Sequence, residues 1–345
     1  MVIGVERAGG QLSGTTIGFN LADPALEASV GATLTEIEQM LREATVSTNP
    51  MVSEVARHLV DAGGKRFRPL LVAISASFGD ARHPNVALAG TVVELTHLAT
   101  LYHDDVMDEA TVRRGAPSAN ARWGNAVAIL VGDYLFARAA DLAADLGLEA
   151  VRIQARTFSR LVHGQIAETI GPAEGEDKVE HYLRVISQKT GSLIATSARL
   201  GGMFAGVAPE HVAGLTGYGE TIGAAFQLSD DLLDIASEGA QSGKTPGTDL
   251  REGVATLPVL YALASEESDA DAERLREILS AGAVTDPDLH AEALGLLRES
   301  AAMKRARETV RMYTEQARTS LSVLPEAPAR QALESLCDFI ADRTG

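Results

Sequence analysis

Two short stretches of this chain carry more carboxylate than a folded surface needs. The run Leu95-Thr-His-Leu-Ala-Thr-Leu-Tyr-His-Asp-Asp-Val-Met-Asp108 is largely apolar until it ends in Asp104, Asp105 and Asp108. Read as a helix, it sets Asp104 and Asp108 one turn apart on one face, with Asp105 beside them and His97 two turns back. The device recurs in Gln227-Leu-Ser-Asp-Asp-Leu-Leu-Asp234, where Asp230, Asp231 and Asp234 repeat the spacing. Either motif alone reads as a solvated helix end or a cap. Both are flanked by apolar residues (Leu98, Leu101 and Val106; Leu228, Leu232 and Leu233), so if the helices face each other solvent cannot neutralise all six carboxylates. Something cationic must then lie between them. Oxygen-only ligands favour magnesium over zinc, and magnesium completes its shell with water and substrate phosphate.

Phosphate in turn needs cations, and two loops supply them. In Gly63-Gly-Lys-Arg-Phe-Arg-Pro69 two glycines permit tight backbone and three cations lead into a helix. Arg68 can fork onto phosphate oxygens, Lys65 adds a point charge, and Pro69 suits the first helical position. Thr111-Val-Arg-Arg-Gly-Ala-Pro117 follows the first aspartate motif, and an anion bridging Arg113 and Arg114 to the metals would explain their place. The bland reading of either loop is an ordinary basic surface.

The elements that must position these groups read as helices. Hydrophobic residues make up 46% of the chain, mostly alanine and leucine at helical spacing, while aromatics are 4% and β-type alternation is scarce. The fold class expected is all-α, with helices over 25–45, 50–62, 69–79, 84–109, 122–144, 147–170, 177–204, 209–237, 256–266, 286–298, 301–322 and 328–342. With no linker-like shift in composition, residues 23–345 are expected to form a single domain behind a mobile, glycine-rich arm at 1–22. A net charge of −17 argues against nucleic acid as a partner. One cysteine, Cys337, excludes an internal disulfide and fits a reducing cytoplasm; no apolar run suggests a membrane span, and the start lacks the marks of a signal peptide. His58 reads as a surface residue, His103 as a hydrogen-bonding partner of the aspartates, and Trp123 as structural.

In their order along the chain, these residues resemble the trans-isoprenyl (polyprenyl) diphosphate synthases. The match runs from about residue 50 to 265: Gly63 to Pro69, His97, Asp104-Asp105-Val106-Met107-Asp108, Arg113-Arg114-Gly115, Gly132-Asp133-Tyr134, Lys189-Thr190, Phe226-Gln227, Asp230-Asp231-Leu232-Leu233-Asp234, Lys244 and Asp249-Leu250. The resemblance implies an all-α bundle around a deep central cavity, with the aspartate motifs facing each other at its mouth. It also implies a homodimer that condenses isopentenyl diphosphate head to tail onto an allylic diphosphate, with up to three Mg2+ ions bound alongside substrate. On this resemblance Asp104, Asp105, Asp108, Asp230, Asp231 and Asp234 form the metal site. Lys65, Arg68, His97 and Arg114 hold isopentenyl diphosphate, and Arg113, Lys189 and Lys244 hold the allylic diphosphate. Thr190 and Gln227, beside Phe226, offer dipoles to the allylic cation, and the released diphosphate takes up the proton.

One departure stands out: where the family has Gly-Lys before Thr-Leu-Pro, this chain has Gly253-Val254-Ala255-Thr256-Leu257-Pro258, and Arg251 is the candidate substitute for the missing cation. Product length is expected to be set upstream of Asp104, at Leu95, Ala99 and Thr100. Ala99 and Thr100 are small where short-chain members carry an aromatic, which points to a long product of about C30 to C50 whose release uses membrane or lipid. The alternatives are a short-chain synthase, a terpene cyclase, a His-Asp phosphohydrolase built on His58, His103-Asp104 and Asp231, and a catalytically silent partner subunit.

Overall fold

The computed structural model describes residues 21–237 and 246–343. Sixteen α-helices are found among them. The first six are α1 (Pro24–Ala44), α2 (Pro50–Asp61), α3 (Phe67–Ala76), α4 (Pro84–Met107), α5 (Ala119–Trp123) and α6 (Asn125–Asp145). The next six are α7 (Leu148–Ile170), α8 (Lys178–Ile186), α9 (Ser192–Phe204), α10 (Pro209–Ala236), α11 (Thr248–Glu252) and α12 (Leu257–Leu263). The last four are α13 (Ala270–Ser280), α14 (Pro287–Glu299), α15 (Ala301–Ser320) and α16 (Pro328–Asp342). The starts are written in local chemistry. Proline opens α1, α2, α4, α10, α14 and α16, where its missing N–H is no loss, and the side chains of Asp23, Asn49, Asp177, Asp269 and Asp286 accept orphan amides at N-caps.

The two aspartate motifs end the two central helices. Helix α4 packs on α6, α1, α9 and α3, and α10 packs on α9 and α15. Both are therefore buried on several sides. One core surrounds α10 with Tyr218, Ile222, Leu228 and Leu232 against Met303, Val310, Leu333 and Leu336. A second joins α1, α2, α4 and α6 through Ile37, Leu41, Leu59, Leu95, Leu98, Tyr102 and Leu135, and a third involves Val72, Val93, Ile153, Leu193 and Leu200. Each fully buried leucine or isoleucine contributes about 1.5–3 kcal/mol relative to exposure. Helices α9 and α10 touch backbone to backbone at Gly219, where a methyl group would meet the Ala195 Cα at 2.5 Å.

The all-α expectation holds, with instructive differences. The stretch read as one helix over 177–204 is α8 and α9 joined by a π-helical turn, Ser187–Gly191. The loop after the first motif contains a two-residue-per-strand hairpin, β1 (Val112–Arg113) and β2 (Ala116–Pro117), with Arg114 and Gly115 as its turn. Both have positive φ (54° and 76°), as a two-residue type I′ hairpin requires. Helix α3 begins at Phe67, so Pro69 is its third residue. Leu21, placed in the arm by its sequence, is 4% exposed and part of the core around α10. Residues 1–20 of the expected arm and Lys244 lie outside the described residues.

Candidate active site

A cavity of about 460 Å³ opens between the ends of α4 and α10, and Asp104 and Asp230 both line it. The first motif is split by the helix end. Asp104 is in the last turn of α4, while Asp108 is the exposed C-cap, its amide donating to the Asp104 carbonyl at 2.8 Å. Asp105 points the other way and is fully buried. It accepts from Arg113 Nε at 2.6 Å, and its Oδ2 is buried with no protein partner. The hairpin thus folds Arg113 back onto the motif, so Arg113 needs no external anion to explain its position. Asn120 closes the loop by donating to the Asp105 and Ala110 carbonyls. Burial lifts the Asp104 carboxyl to about 6, with Lys189 opposing and Asp108 adding to the shift. Burial also raises Asp105, against the pull of Arg113. Burial, ahead of mutual repulsion, is thus the main cause.

On α10, Asp230 pairs with Arg343, whose Nε also donates to Ser229 Oγ at 2.6 Å and whose guanidinium covers the Phe226 ring at 4.7 Å. Asp231 faces inward with both oxygens taken, one by the Tyr182 hydroxyl and the other by Gln227 Nε2 at 2.8 Å. Burial pushes it up to about 7 despite those two donors. Asp234 accepts the Asp249 amide at 3.1 Å, and Arg298 caps the helix by donating to the Ile235 and Ser237 carbonyls.

The cationic side of the cavity is built around a buried carboxylate. Glu94, 1% exposed, accepts from Arg66 Nη1 at 3.0 Å and lies 3.9 Å from Arg114 Nη2. Arg66 sits in the left-handed region (φ 49°) as the N-cap of α3, which turns its guanidinium inward onto Glu94, Glu38 and the Val60 carbonyl. Of the three loop cations, Arg66 is therefore a structural clamp. Arg114 is held by the Leu59 carbonyl at 2.8 Å and by the Gly63 carbonyl. It crosses so close to Gly64 that a methyl there would meet its Cζ at 2.7 Å. Lys65, Arg68 and His97 line the cavity. Arg68 Nε is buried without a protein partner, and burial brings the guanidinium down to about 10, with Glu94 opposing and Arg114 adding, so it stays charged at neutral pH. Burial, then Arg68 and Arg114, holds His97 well below the usual imidazole range. His97 is thus a neutral hydrogen-bonding group.

Lys189 and Thr190 stand in the π-turn and both reach the cavity. Lys189 Nζ rests on Glu168 at 2.5 Å, and Thr190 Oγ1 donates to Gln227 Oε1 at 3.2 Å. Phe226 stacks on Phe67 with centroids 4.7 Å apart, 5.7 Å from Lys65 Nζ. Away from the carboxylates the walls are apolar: Leu101, Leu161, Leu193 and the Phe136–Phe158 pair, centroids 4.3 Å apart. Thr100 lines this part. Leu95 and Ala99 do not; both are fully buried in the core shared by α1, α2, α4 and α6. Arg251 and Val254 are exposed and away from the lining.

Neither His58 nor His103 bonds an aspartate of the two motifs. His103 Nε2 bonds the Ile129 carbonyl at 3.0 Å and lies 3.5 Å from Asp133, while His58 Nε2 bonds the Pro117 carbonyl at 2.7 Å and packs edge-on to Trp123. That separation removes the basis for a His-Asp phosphohydrolase centre. Glu38, Glu94, Tyr182, Glu168 and Arg343 are the site residues that sequence reasoning missed. Among the described residues no three acidic, histidine or cysteine side chains close on a common point by themselves. The donor set, all oxygen and open to the cavity at Asp104 and Asp230, fits a hard cation whose shell substrate and water complete.

The sequence profile described as polyprenyl synthetase matches residues 49–296. A nonaprenyl diphosphate synthase of Mycobacterium tuberculosis is 52% identical over 331 residues, covering 95% of this chain and 97% of that one. Among solved structures, a geranylgeranyl pyrophosphate synthase from Corynebacterium glutamicum, complexed with calcium and isoprenyl diphosphate, superposes with a TM-score of 0.85 at 44% identity, covering 94% of this chain and 99% of its own. A decaprenyl diphosphate synthase from Rhodobacter capsulatus gives 0.82 at 34% identity, covering 93% and 99%.

Proposed function

As a member of the polyprenyl synthetase family this chain is a prenyltransferase with the isoprenoid synthase fold, and we propose that it condenses isopentenyl diphosphate with an allylic diphosphate to make a long-chain polyprenyl diphosphate. The observation that carries this reading is the convergence of two aspartate motifs and the partnerless Arg68 Nε on one cavity with an apolar floor.

Asp104, Asp108, Asp230 and Asp234 would hold Mg2+, while Asp105, turned away from the cavity, would brace the motif through Arg113; Mg2+, when bound, neutralises charge on the departing diphosphate. Lys189 leaves Glu168 to meet the allylic diphosphate, and Arg113, which lines the cavity while bonded to Asp105, adds a second positive charge there; the family resemblance assigns Lys244 to the same diphosphate. The allylic C1–O bond breaks with its electron pair going to diphosphate. The isopentenyl double bond then attacks C1, and the proton lost from isopentenyl C2 passes to the released diphosphate. Lys65, Arg68 and Arg114, with neutral His97 as a hydrogen-bond donor, hold the second diphosphate while Thr190 and Gln227 face the developing cation. Phe67, Phe226 and the apolar walls exclude water, which would capture that cation.

The exposed apolar side chains Ile129 and Leu130 on α6 and Ile166 and Ile170 on α7 support a homodimer. Among the described residues no helix is long and apolar enough to cross a membrane, which accords with a cytoplasmic enzyme that hands its product to lipid. A short-chain product is the second reading, favoured by the Phe136–Phe158 pair at the floor. The test is incubation with labelled isopentenyl diphosphate, Mg2+ and dimethylallyl, geranyl, farnesyl or geranylgeranyl diphosphate, followed by product sizing. Products beyond C25 support the long-chain reading, arrest at C15 or C20 the short-chain one, and no condensation with any primer overturns both.

A further inference from the structure

Gln227 poses a problem of direction. A side-chain amide is two-fold about its last torsion, so either its oxygen or its NH2 can face the cavity it lines. Only the oxygen would favour a cation at C1 of the allylic substrate. The contacts behind Gln227 decide which end is presented. Its Nε2 donates to Asp231 at 2.8 Å, a bond to a buried carboxylate, and its Oε1 accepts from Thr190 at 3.2 Å. Thr190 spends its only proton on that bond and has lone pairs alone to offer the cavity. The anchor is Asp231, and its second oxygen is gripped by the hydroxyl of Tyr182, which comes from α8 on the far side and does not line the cavity.

We propose that Tyr182 is a positioning residue for the condensation: by holding Asp231 it fixes the orientation of Gln227 and Thr190, so that the wall presents oxygen to the allylic cation. Asp231 then serves orientation, while Asp230 serves the metal. Loss of the Tyr182 hydroxyl frees Asp231 to turn and the Gln227 amide to flip. This inference rests on the prenyltransferase reading. If the wild-type enzyme forms no condensation product that reading fails; if it does, the variants below judge Tyr182 alone.

The test is Tyr182→Phe, which keeps the ring and removes one hydroxyl. Expected is a fall in kcat of about tenfold, the scale of one lost charge-assisted hydrogen bond expressed at the transition state. KM for both diphosphates and the Mg2+ concentration for half-activity should stay within about twofold, because no group that binds them has moved. Asp231→Asn, which removes the anchor's charge, should show the same pattern, whereas Asp230→Asn should raise the Mg2+ requirement. An unchanged kcat in Tyr182→Phe overturns the proposal. So does a rise in Mg2+ requirement for Asp231→Asn as large as that for Asp230→Asn, since Asp231 would then be a ligand. Should Tyr182→Phe lower the melting temperature by more than a few degrees, Asp231→Asn alone decides.

Discussion

Asp104→Asn asks how far the substrate-free site is held together against its own charge. Burial lifts this carboxyl from 3.8 to about 6. A shift of roughly two units corresponds to about 3 kcal/mol between protonation states, and solvent at the cavity mouth reduces it to about 1–2. The folded-state value lies above the unfolded one, so the contribution is fully present below about pH 4 and is lost as pH rises through about 6. Asparagine carries no charge to desolvate. The variant should therefore be more stable than wild type at about pH 7.5, with a melting temperature higher by a few degrees, at about 2 °C per kcal/mol for a chain of this size. The gap should close as pH falls toward 4. Adding Mg2+ with inorganic diphosphate should reverse the order, since only the wild-type carboxylate gains a counter-ion and binding to the native state raises stability. Differential scanning fluorimetry over that pH range reads all three. A variant less stable than wild type at neutral pH, or a gap independent of pH, would refute the reasoning.

Other expectations follow from the same geometry. Arg68→Ala should raise KM for isopentenyl diphosphate at least tenfold and that for the allylic partner little, because a fork of donors to one diphosphate is lost; steady-state kinetics with each substrate varied checks it. Gly64→Ala places a methyl 2.7 Å from the Arg114 Cζ at a backbone φ of 148°, so it should weaken isopentenyl diphosphate binding severalfold while circular dichroism stays unchanged. Thr100→Phe should block the lower cavity and shorten products in a sizing assay. Phe158→Ala should open the floor and lengthen them, at a stability loss of about 1–2 kcal/mol in urea denaturation, because the ring is only partly buried.

The helical architecture and the carboxylates could be read from the chain because each is encoded locally, by proline and aspartate at helix starts and by apolar spacing along α4 and α10. What escaped depends on partners far apart in sequence. Nothing near Glu38 or Glu94 announces that Arg66 turns inward, since that requires a non-glycine residue in the left-handed region and two acidic partners from α1 and α4. Arg343 reaches Asp230 from over a hundred residues away. That Ala99 lies in the core beside the cavity and not in its lining escaped for a subtler reason. Counting back from Asp104 gives the residues one turn away but not which side of a helix buried all round faces the cavity, and Thr100 has that side. The hairpin escaped for the same reason as Arg66: its type I′ turn puts Arg114, where asparagine, aspartate or glycine is the usual signal, in the left-handed region.

The π-turn at Ser187–Gly191 has a bearing on how this sequence can vary. Such a turn is equivalent to one residue inserted in an α-helix, and each residue advances the helix by about 100°. The extra residue therefore sets the rotational phase between α8, which carries Tyr182, and α9. Deleting any single residue between 187 and 191 would leave composition, charge and helicity almost untouched, yet turn the two segments out of phase and separate Tyr182 from Asp231. A point substitution in this turn alters one contact. A length change there alters the alignment of everything on one side with everything on the other, so chain length should be far less free to drift in this turn than in an ordinary helix-to-helix connection.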